Sequence, residues 1–366
     1  MAKNPSETPH AEKPTEIGIS HRKSAGTVDR RISVAPMLDW TDRHCRYFLR
    51  GFSPKVLLYT EMITAAAILR GDRQRLLAFD AEEHPVALQL GGSDPQQLAA
   101  AARAGEEAGY DEINLNCGCP SDRVASGAFG ASLMREPALV GDCVAAMSAA
   151  VRLPVTVKMR IGVVAGGMRG VHAAVTSFEE GDFEALCHFV ATVHAAGCAA
   201  AIVHARKAVL GGLSPKDNRE IPPLRYDVVR RLKGHFPALP VIVNGGLRQC
   251  DAVAEALSWC DGVMLGREAY HRPYLLAELQ QRLFPDGAAM PTREALLARM
   301  EAYARRELAA GHRLPGITRH MLGLYSGAPG AREYRRTLSE GARLPGAGPE
   351  LLRQAVPARA TQRLPL

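Results

Sequence analysis

Nowhere does this sequence carry the roughly 18 consecutive apolar residues that a membrane-spanning helix needs, and no Cys-x-x-Cys pair occurs among its eight cysteines. The first absence excludes a helical membrane protein. The second argues against a zinc ribbon and a disulfide framework. The thiols at 45, 117, 119, 143, 187, 198, 250 and 260 are therefore expected to be unpaired, most of them serving as small buried hydrophobes. No Gly-x-Gly-x-x-Gly follows an apolar run, which weakens the case for an open dinucleotide-binding sheet. Residues 1–29 lack an apolar core and are rich in Lys, Pro, Ser, Thr and Glu; they are read as a disordered tail rather than a signal peptide, with a cytoplasmic protein as the expectation. Arginine is the only basic residue type besides histidine after Pro291. From there to the end, 13 Arg and no Lys stand against 6 Glu and no Asp. The net charge of the whole chain is +7, so its entire excess lies in that stretch. Such a concentration of arginine points to a polyanionic partner, with a solvated helical face as the alternative.

What is present is a repeated grammar of short apolar runs, each followed by an Ala/Leu-rich stretch. The runs are Ile32 to Met37, Leu57 to Met62, Pro85 to Leu90, Glu112 to Cys117, Pro154 to Arg160, Ala200 to His204, Pro240 to Asn244 and Gly262 to Gly266. Near-continuous apolar strands alternating with helices are parallel strands buried on both faces, and eight such units over about 250 residues predict an α/β fold, a closed TIM (β/α)8 barrel. We assign the barrel to residues 30–286, a small C-terminal helical domain to 291–345 and a second disordered tail to 346–366. Helical runs are expected from Thr292 through Arg306, over Arg319 to Tyr325 and over Ala331 to Leu338. Residues 162–181 interrupt the pattern as an inserted loop.

Chemistry in such barrels sits at the C-terminal ends of the strands. The residues there are Pro36-Met37, Glu61, Gln89, Asn116, Lys158, His204 with Arg206, Asn244-Gly245-Gly246 and Gly266-Arg267. The glycine turns after the last two strands lie where barrels bind phosphate, with Arg267 adding a charged fork. Lys158 fits either a Schiff base or a positive charge beside a flavin; spacing alone does not separate them. Gln89 and Asn116 favour the flavin, because amides both donate to and accept from the edge of a flat heterocycle. In Asn114-Leu115-Asn116-Cys117-Gly118-Cys119-Pro120 the two asparagines share one strand face, and Cys119 stands in a tight turn as a candidate general acid or nucleophile.

At these residues the chain resembles the tRNA-dihydrouridine synthases, specifically their A subfamily. The matching stretches are Ala35 to Asp42, Ala87 to Gly92, Asn116 to Asp122, His204 to Lys207, Gly212 to Glu220, Asn244 to Gly246 and Gly327 to Arg336, within roughly residues 31–345. The resemblance implies FMN bound by Pro36, Met37, Leu38, Gln89, Lys158, His204, Asn244, Gly245, Gly246, Gly266 and Arg267, and reduced by NADPH. It implies hydride delivery from flavin N5 to C6 of a uracil and proton donation from Cys119 to C5. The targets would be uridines 20 and 20a of the tRNA D-loop, flipped out to reach the site. Asn116 would orient the base, and Arg206, Lys216, Arg219, Arg332 and Arg335 would contact the tRNA. No metal or membrane is implied. Two features depart from the family pattern: the length of 162–181, and a cysteine at 117 where an apolar residue is usual. A Schiff-base lyase, a non-catalytic RNA-binding barrel and a reductase of free pyrimidines are the competing readings, the last having no use for a basic helical domain.

Overall fold

In a computed structural model, residues 28–120, 129–167, 171–284 and 289–357 are described. Their strands are β1 (Ile32–Val34), β2 (Leu57–Thr64), β3 (Val86–Gly91), β4 (Glu112–Cys117), β5 (Val155–Arg160), β6 (Val163–Ala165), β7 (Ala201–His204), β8 (Ala208–Leu210), β9 (Val241–Asn244) and β10 (Gly262–Leu265). All but β6 and β8 close into a parallel barrel in the order β1-β10-β9-β7-β5-β4-β3-β2, the expected eight-stranded TIM barrel. Period-two alternation divides each strand between two environments. On β4, Ile113, Leu115 and Cys117 enter the large apolar core shared with the surrounding helices. Glu112, Asn114 and Asn116 occupy the alternate positions, facing the lumen, where Leu57, Tyr59, Ala87, Ile202, Ile242 and Met264 form a separate apolar cluster. Cys117 is thus a core residue whose thiol burial pushes well above its usual pKa. Here a cysteine does the work of an apolar side chain.

The helices begin as their sequence dictates. Asp94 accepts from Gln97 N at 2.9 Å, Pro95 opens the first turn, and the helix Pro95–Ala108 stops at Gly109, whose φ is 97°. Three stretches differ from expectation. The region 162–181 is more than a loop: β6 pairs in parallel with β8, and a helix, Val171–Thr176, follows. Val164, Val175 and Val209 form its own small core. Lys207, with its side chain only 5% exposed, anchors it by donating to Ala174 O at 2.9 Å and Asp182 Oδ2 at 2.8 Å. We predict that Asp182→Ala, which leaves that ammonium with one carbonyl, lowers stability by about 1–3 kcal/mol; a urea-unfolding midpoint equal to wild type would contradict the anchor.

The helical stretch at the C-terminal end comprises Arg293–Ala309, Leu314–Thr318, Ala331–Gly341 and Leu351–Gln354. The helix expected over Arg319 to Tyr325 sits a turn earlier, started by Pro315, and the following residues wind as turns. Gly323 there lies so close to the backbone of Tyr270 and His271 that a Cβ would meet a carbonyl oxygen at 2.7 Å. The tail expected from 346 also differs over its described part, because Leu352 and Ala355 are buried and Arg353 pairs with Glu301 at 2.7 Å. Its prolines and glycines make turns that return the chain to the core rather than releasing it. Residues 1–27 and 358–366 of the expected tails lie outside the described residues.

Docking of these helices uses much of the arginine excess. Arg299 and Arg306 pair with Glu82 and Asp80, Arg319 with Asp42 at 2.6 Å, and Tyr303 stacks on Tyr47 at 4.0 Å. By contrast Arg332, Arg335 and Arg336 are exposed on Ala331–Gly341, without an ion pair among the described residues, while Tyr334 and Leu338 face inward.

Candidate active site

Strand register sets the site. Gln89 pairs with Asn114 across β3 and β4, Asn116 with Lys158 across β4 and β5, Arg160 with His204 across β5 and β7, and His204 with Asn244 across β7 and β9. The polar strand ends singled out above therefore ring one mouth of the barrel. Lys158 donates to Asn244 Oδ1 at 3.1 Å, and Asn244 Nδ2 donates to Met264 O at 2.7 Å. Gln89 Nε2 donates to Asn114 Oδ1 at 2.7 Å. Pro36, Met37 and Leu38 lie in the loop after β1, with Leu38 66% exposed at the rim. Glu61 accepts from Asp39 N nearby.

On the far side of the mouth is an excess of positive charge. Burial, with Arg160 beside it, pulls the Lys158 ammonium down to about 7. Burial brings Arg160 down to about 9 and lowers Arg206 and Arg219. His204 falls well below its ordinary value, through burial and then the charges of Arg160, Lys158, Arg206 and Arg219, so it is neutral. The carboxylate among them is Glu220, paired with Arg267 at 2.7 Å. Groups that repel one another at close quarters are stabilised by an anion placed between them.

The glycine turn after β9 lies against His204. Gly245 and Gly246 have φ of 121° and 71°, and a Cβ on either would strike His204 or Leu224 at 2.4–2.9 Å. Only glycine permits that backbone there. Gly266 opens onto free space at the start of the helix Arg267–His271. The Arg267–Glu220 pair is more than a third exposed on both sides, so it contributes little. An arginine fork takes phosphate oxygens in the same way as carboxylate oxygens.

Cys119 is partly exposed beyond the end of β4. Its backbone is held from several directions: Asn116 Oδ1 accepts from Gly118 N at 3.1 Å and Cys119 N at 3.0 Å, and Ala131 N donates to Cys119 O at 2.9 Å. Asn116 is 8% exposed, and its carbonyl oxygen is committed to this turn. Arg160, 3% exposed, ties the turn to its surroundings by donating to Gly118 O at 3.2 Å, Lys207 O at 3.1 Å and Asn218 O at 2.9 Å. Sequence reasoning missed Arg160; its signal was a second cation on the same strand face two residues after Lys158. Arg206 donates to the carbonyls of Glu220 and Pro222, which secures the loop carrying Lys216 and Arg219. Lys216 is exposed, and Arg219 lies near Cys119. Arg332 and Arg335 belong to the separate helix face described above. Ser121 and Asp122 lie outside the described residues.

One cluster of metal-ligand residue types lies elsewhere, among the described residues: His44, Glu307 and His312. Its carboxylate is already neutralised by Arg43.

A family model described as "Dihydrouridine synthase (Dus)" matches residues 33–361, nearly the whole chain. The chain belongs to the dihydrouridine synthase family. Relatives of this dihydrouridine synthase include the tRNA-dihydrouridine(20/20a) synthase of Xanthomonas campestris pv. campestris, 55% identical over 325 residues and covering 89% of this chain and 92% of that protein. The proteins of the same name from Pseudomonas aeruginosa and Synechocystis sp. are each 54% identical, covering 85% and 90% of this chain and 90% and 94% of their own lengths. As a dihydrouridine synthase the chain is an enzyme, which excludes the lyase and the non-catalytic barrel.

Proposed function

We propose that this enzyme reduces uridine to 5,6-dihydrouridine at positions 20 and 20a of the tRNA D-loop, in the cytoplasm, with FMN as cofactor and NADPH as reductant. The observation that carries the chemistry is a thiol-bearing turn after β4, tied down by Asn116 and Arg160, beside the cations Lys158, Arg160 and Arg219 at the mouth of the barrel. Relatives at 54–55% identity named for positions 20/20a support the target. No helix among the described residues is long and apolar enough to cross a membrane.

Bound FMN, reduced by NADPH, supplies the hydride that adds to C6 of the uracil. Pro36, Met37, Leu38 and Gln89 hold the ring on one side; Lys158, kept in place by Asn244, supplies positive charge at its N1/O2 edge. His204, Gly245, Gly246, Gly266 and Arg267 hold the phosphate, the glycines by letting backbone N–H groups approach it. Cys119 carries the proton delivered to C5 from the opposite face, and Asn116 sets the height of that thiol and faces the base. A uridine stacked in RNA cannot enter, so the target is flipped out, with Arg206, Lys216 and Arg219 at the rim of the opening. Arg332 and Arg335, on one face of their helix, bind the tRNA backbone.

Binding of that backbone has its own test. Arg332→Ala with Arg335→Ala should weaken binding of unmodified tRNA and reduce the slope of log Kd against log salt by about 0.7–0.9 for each phosphate that is no longer neutralised. An unchanged slope would place the footprint elsewhere.

A further inference from the structure

Beneath the mouth, the lumen holds polar groups that the proposed chemistry does not touch. Glu112, fully buried at the start of β4, pairs with Arg30 Nε at 2.7 Å through one oxygen. Its other oxygen accepts from the Tyr59 hydroxyl and from Thr156 Oγ1, the latter at 2.6 Å. A carboxylate paired with arginine can only accept, so the Thr156 hydroxyl must donate downward. Thr156 Oγ1 then accepts from Asn114 Nδ2 at 2.9 Å. That turns Asn114 Oδ1 toward Gln89 Nε2 and leaves Gln89 Oε1 to accept from Asn116 Nδ2 at 2.8 Å. Asn116 Oδ1 is thereby aimed at the N–H groups of Gly118 and Cys119. Each side-chain amide could point either way by shape alone; the acceptor at the bottom and the N–H donors at the top admit one direction.

We propose that Glu112 is a positioning residue for Cys119 and Gln89: it anchors the lower end of a one-way hydrogen-bond chain through Thr156, Asn114, Gln89 and Asn116, whose upper end is anchored on the Gly118 and Cys119 backbone. The proposal rests on the catalytic reading above for the part played by Cys119. Such a chain is cooperative in a low-dielectric lumen. Its function is to fix the thiol height and the amide face shown to the cofactor without a further protein group in the reaction space.

Two substitutions separate direction from bulk. Glu112→Gln keeps the shape but, with its oxygen held by Arg30, presents an N–H to Thr156 in place of an acceptor; the Thr156 hydroxyl then accepts from both sides and turns its proton to Ile113 O, 3.4 Å away, so the chain loses its lower anchor. Thr156→Val cuts the chain and leaves the Arg30–Glu112 pair intact, so it carries the test if Glu112→Gln does not fold. Thr156→Ser keeps the hydroxyl. Two readouts are taken on flavin-loaded protein: single-turnover dihydrouridine formation per bound flavin, and the rate of Cys119 alkylation by iodoacetamide, resolved from the other thiols by peptide mapping. Reaction with tRNA should slow by about 10- to 100-fold in Glu112→Gln and Thr156→Val, as for misplacement of a reacting group by about an ångström. Alkylation of Cys119 should change severalfold in the same two variants, and Thr156→Ser should restore both. Folded Glu112→Gln or Thr156→Val protein with wild-type turnover per flavin and wild-type alkylation would overturn the proposal, as would loss in Thr156→Ser equal to that in Thr156→Val. If wild-type enzyme makes no dihydrouridine, the catalytic reading fails. Alkylation then decides the positioning of Cys119 by itself.

Discussion

Replacing Cys119 by alanine should leave a yellow protein whose flavin is reduced by NADPH at the wild-type rate and which no longer makes dihydrouridine at a useful rate. A positioned general acid contributes about 10²–10⁴-fold, and the expected fall in the reaction with tRNA is of that size. The split follows from placement. Cys119 stands on the turn after β4, held through Asn116, Arg160 and Ala131, whereas the cradle proposed for the cofactor lies at Lys158, His204, Asn244, Gly245 and Gly246. Removing a thiol from the turn touches neither β9 nor its glycines. Rapid-mixing absorbance of each half-reaction measures the two steps separately. Dihydrouridine formed by Cys119→Ala at the wild-type rate would remove the proton-donor assignment, and loss of flavin would show that the turn belongs to the cradle.

The second large effect is expected at Lys158. Lys158→Met removes the ammonium proposed to donate to the N1/O2 edge of the ring, and losing a hydrogen bond from a charged group costs about 1.5–3 kcal/mol, or roughly 10- to 150-fold in the Kd for FMN. The pH dependence gives an independent check. Burial holds the ammonium down to about 7, while an anionic cofactor favours its protonated form and raises that value. Binding therefore takes up a proton once the pH exceeds about 7. Affinity for FMN should fall as pH rises through that region, by up to about tenfold per unit. In Lys158→Met this dependence on the alkaline side should vanish. Fluorescence quenching of FMN across the alkaline range reads both effects; parallel pH profiles in the two proteins would assign the anion's partner to Arg267 or another group.

How far these residues could be read in advance depended on whether a local pattern marked them. The barrel strands were legible because each is short, apolar and followed by a helix, and because the lumen-facing residues recur at period two, as in Asn114 and Asn116. Cys119 was legible because its glycine and proline neighbours rule out a strand interior. Arg160 was not, since a cation inside Val-Lys-Met-Arg looks like a solvated strand end until Gly118, Lys207 and Asn218 turn their carbonyls onto it. Glu112 was hidden for the same reason: its partners Arg30, Tyr59 and Thr156 come from three distant places. The basic C-terminal stretch was read as one surface, yet Arg299, Arg306 and Arg319 meet barrel carboxylates that charge counting could not locate. Residues 162–181 carry the glycines of a loop, and only the partner strand β8, much further along the chain, makes β6 a strand.

The central claim, reduction of a tRNA uridine by a flavin with Cys119 as acid, is tested most directly by one experiment. Purified protein loaded with FMN is given NADPH and unmodified tRNA, and the RNA is sequenced by mass spectrometry. A gain of two hydrogens at uridines 20 and 20a, accompanied by reoxidation of the flavin, is the predicted result. Flavin that NADPH bleaches but tRNA fails to reoxidise, with no mass gain in the D-loop, would contradict it.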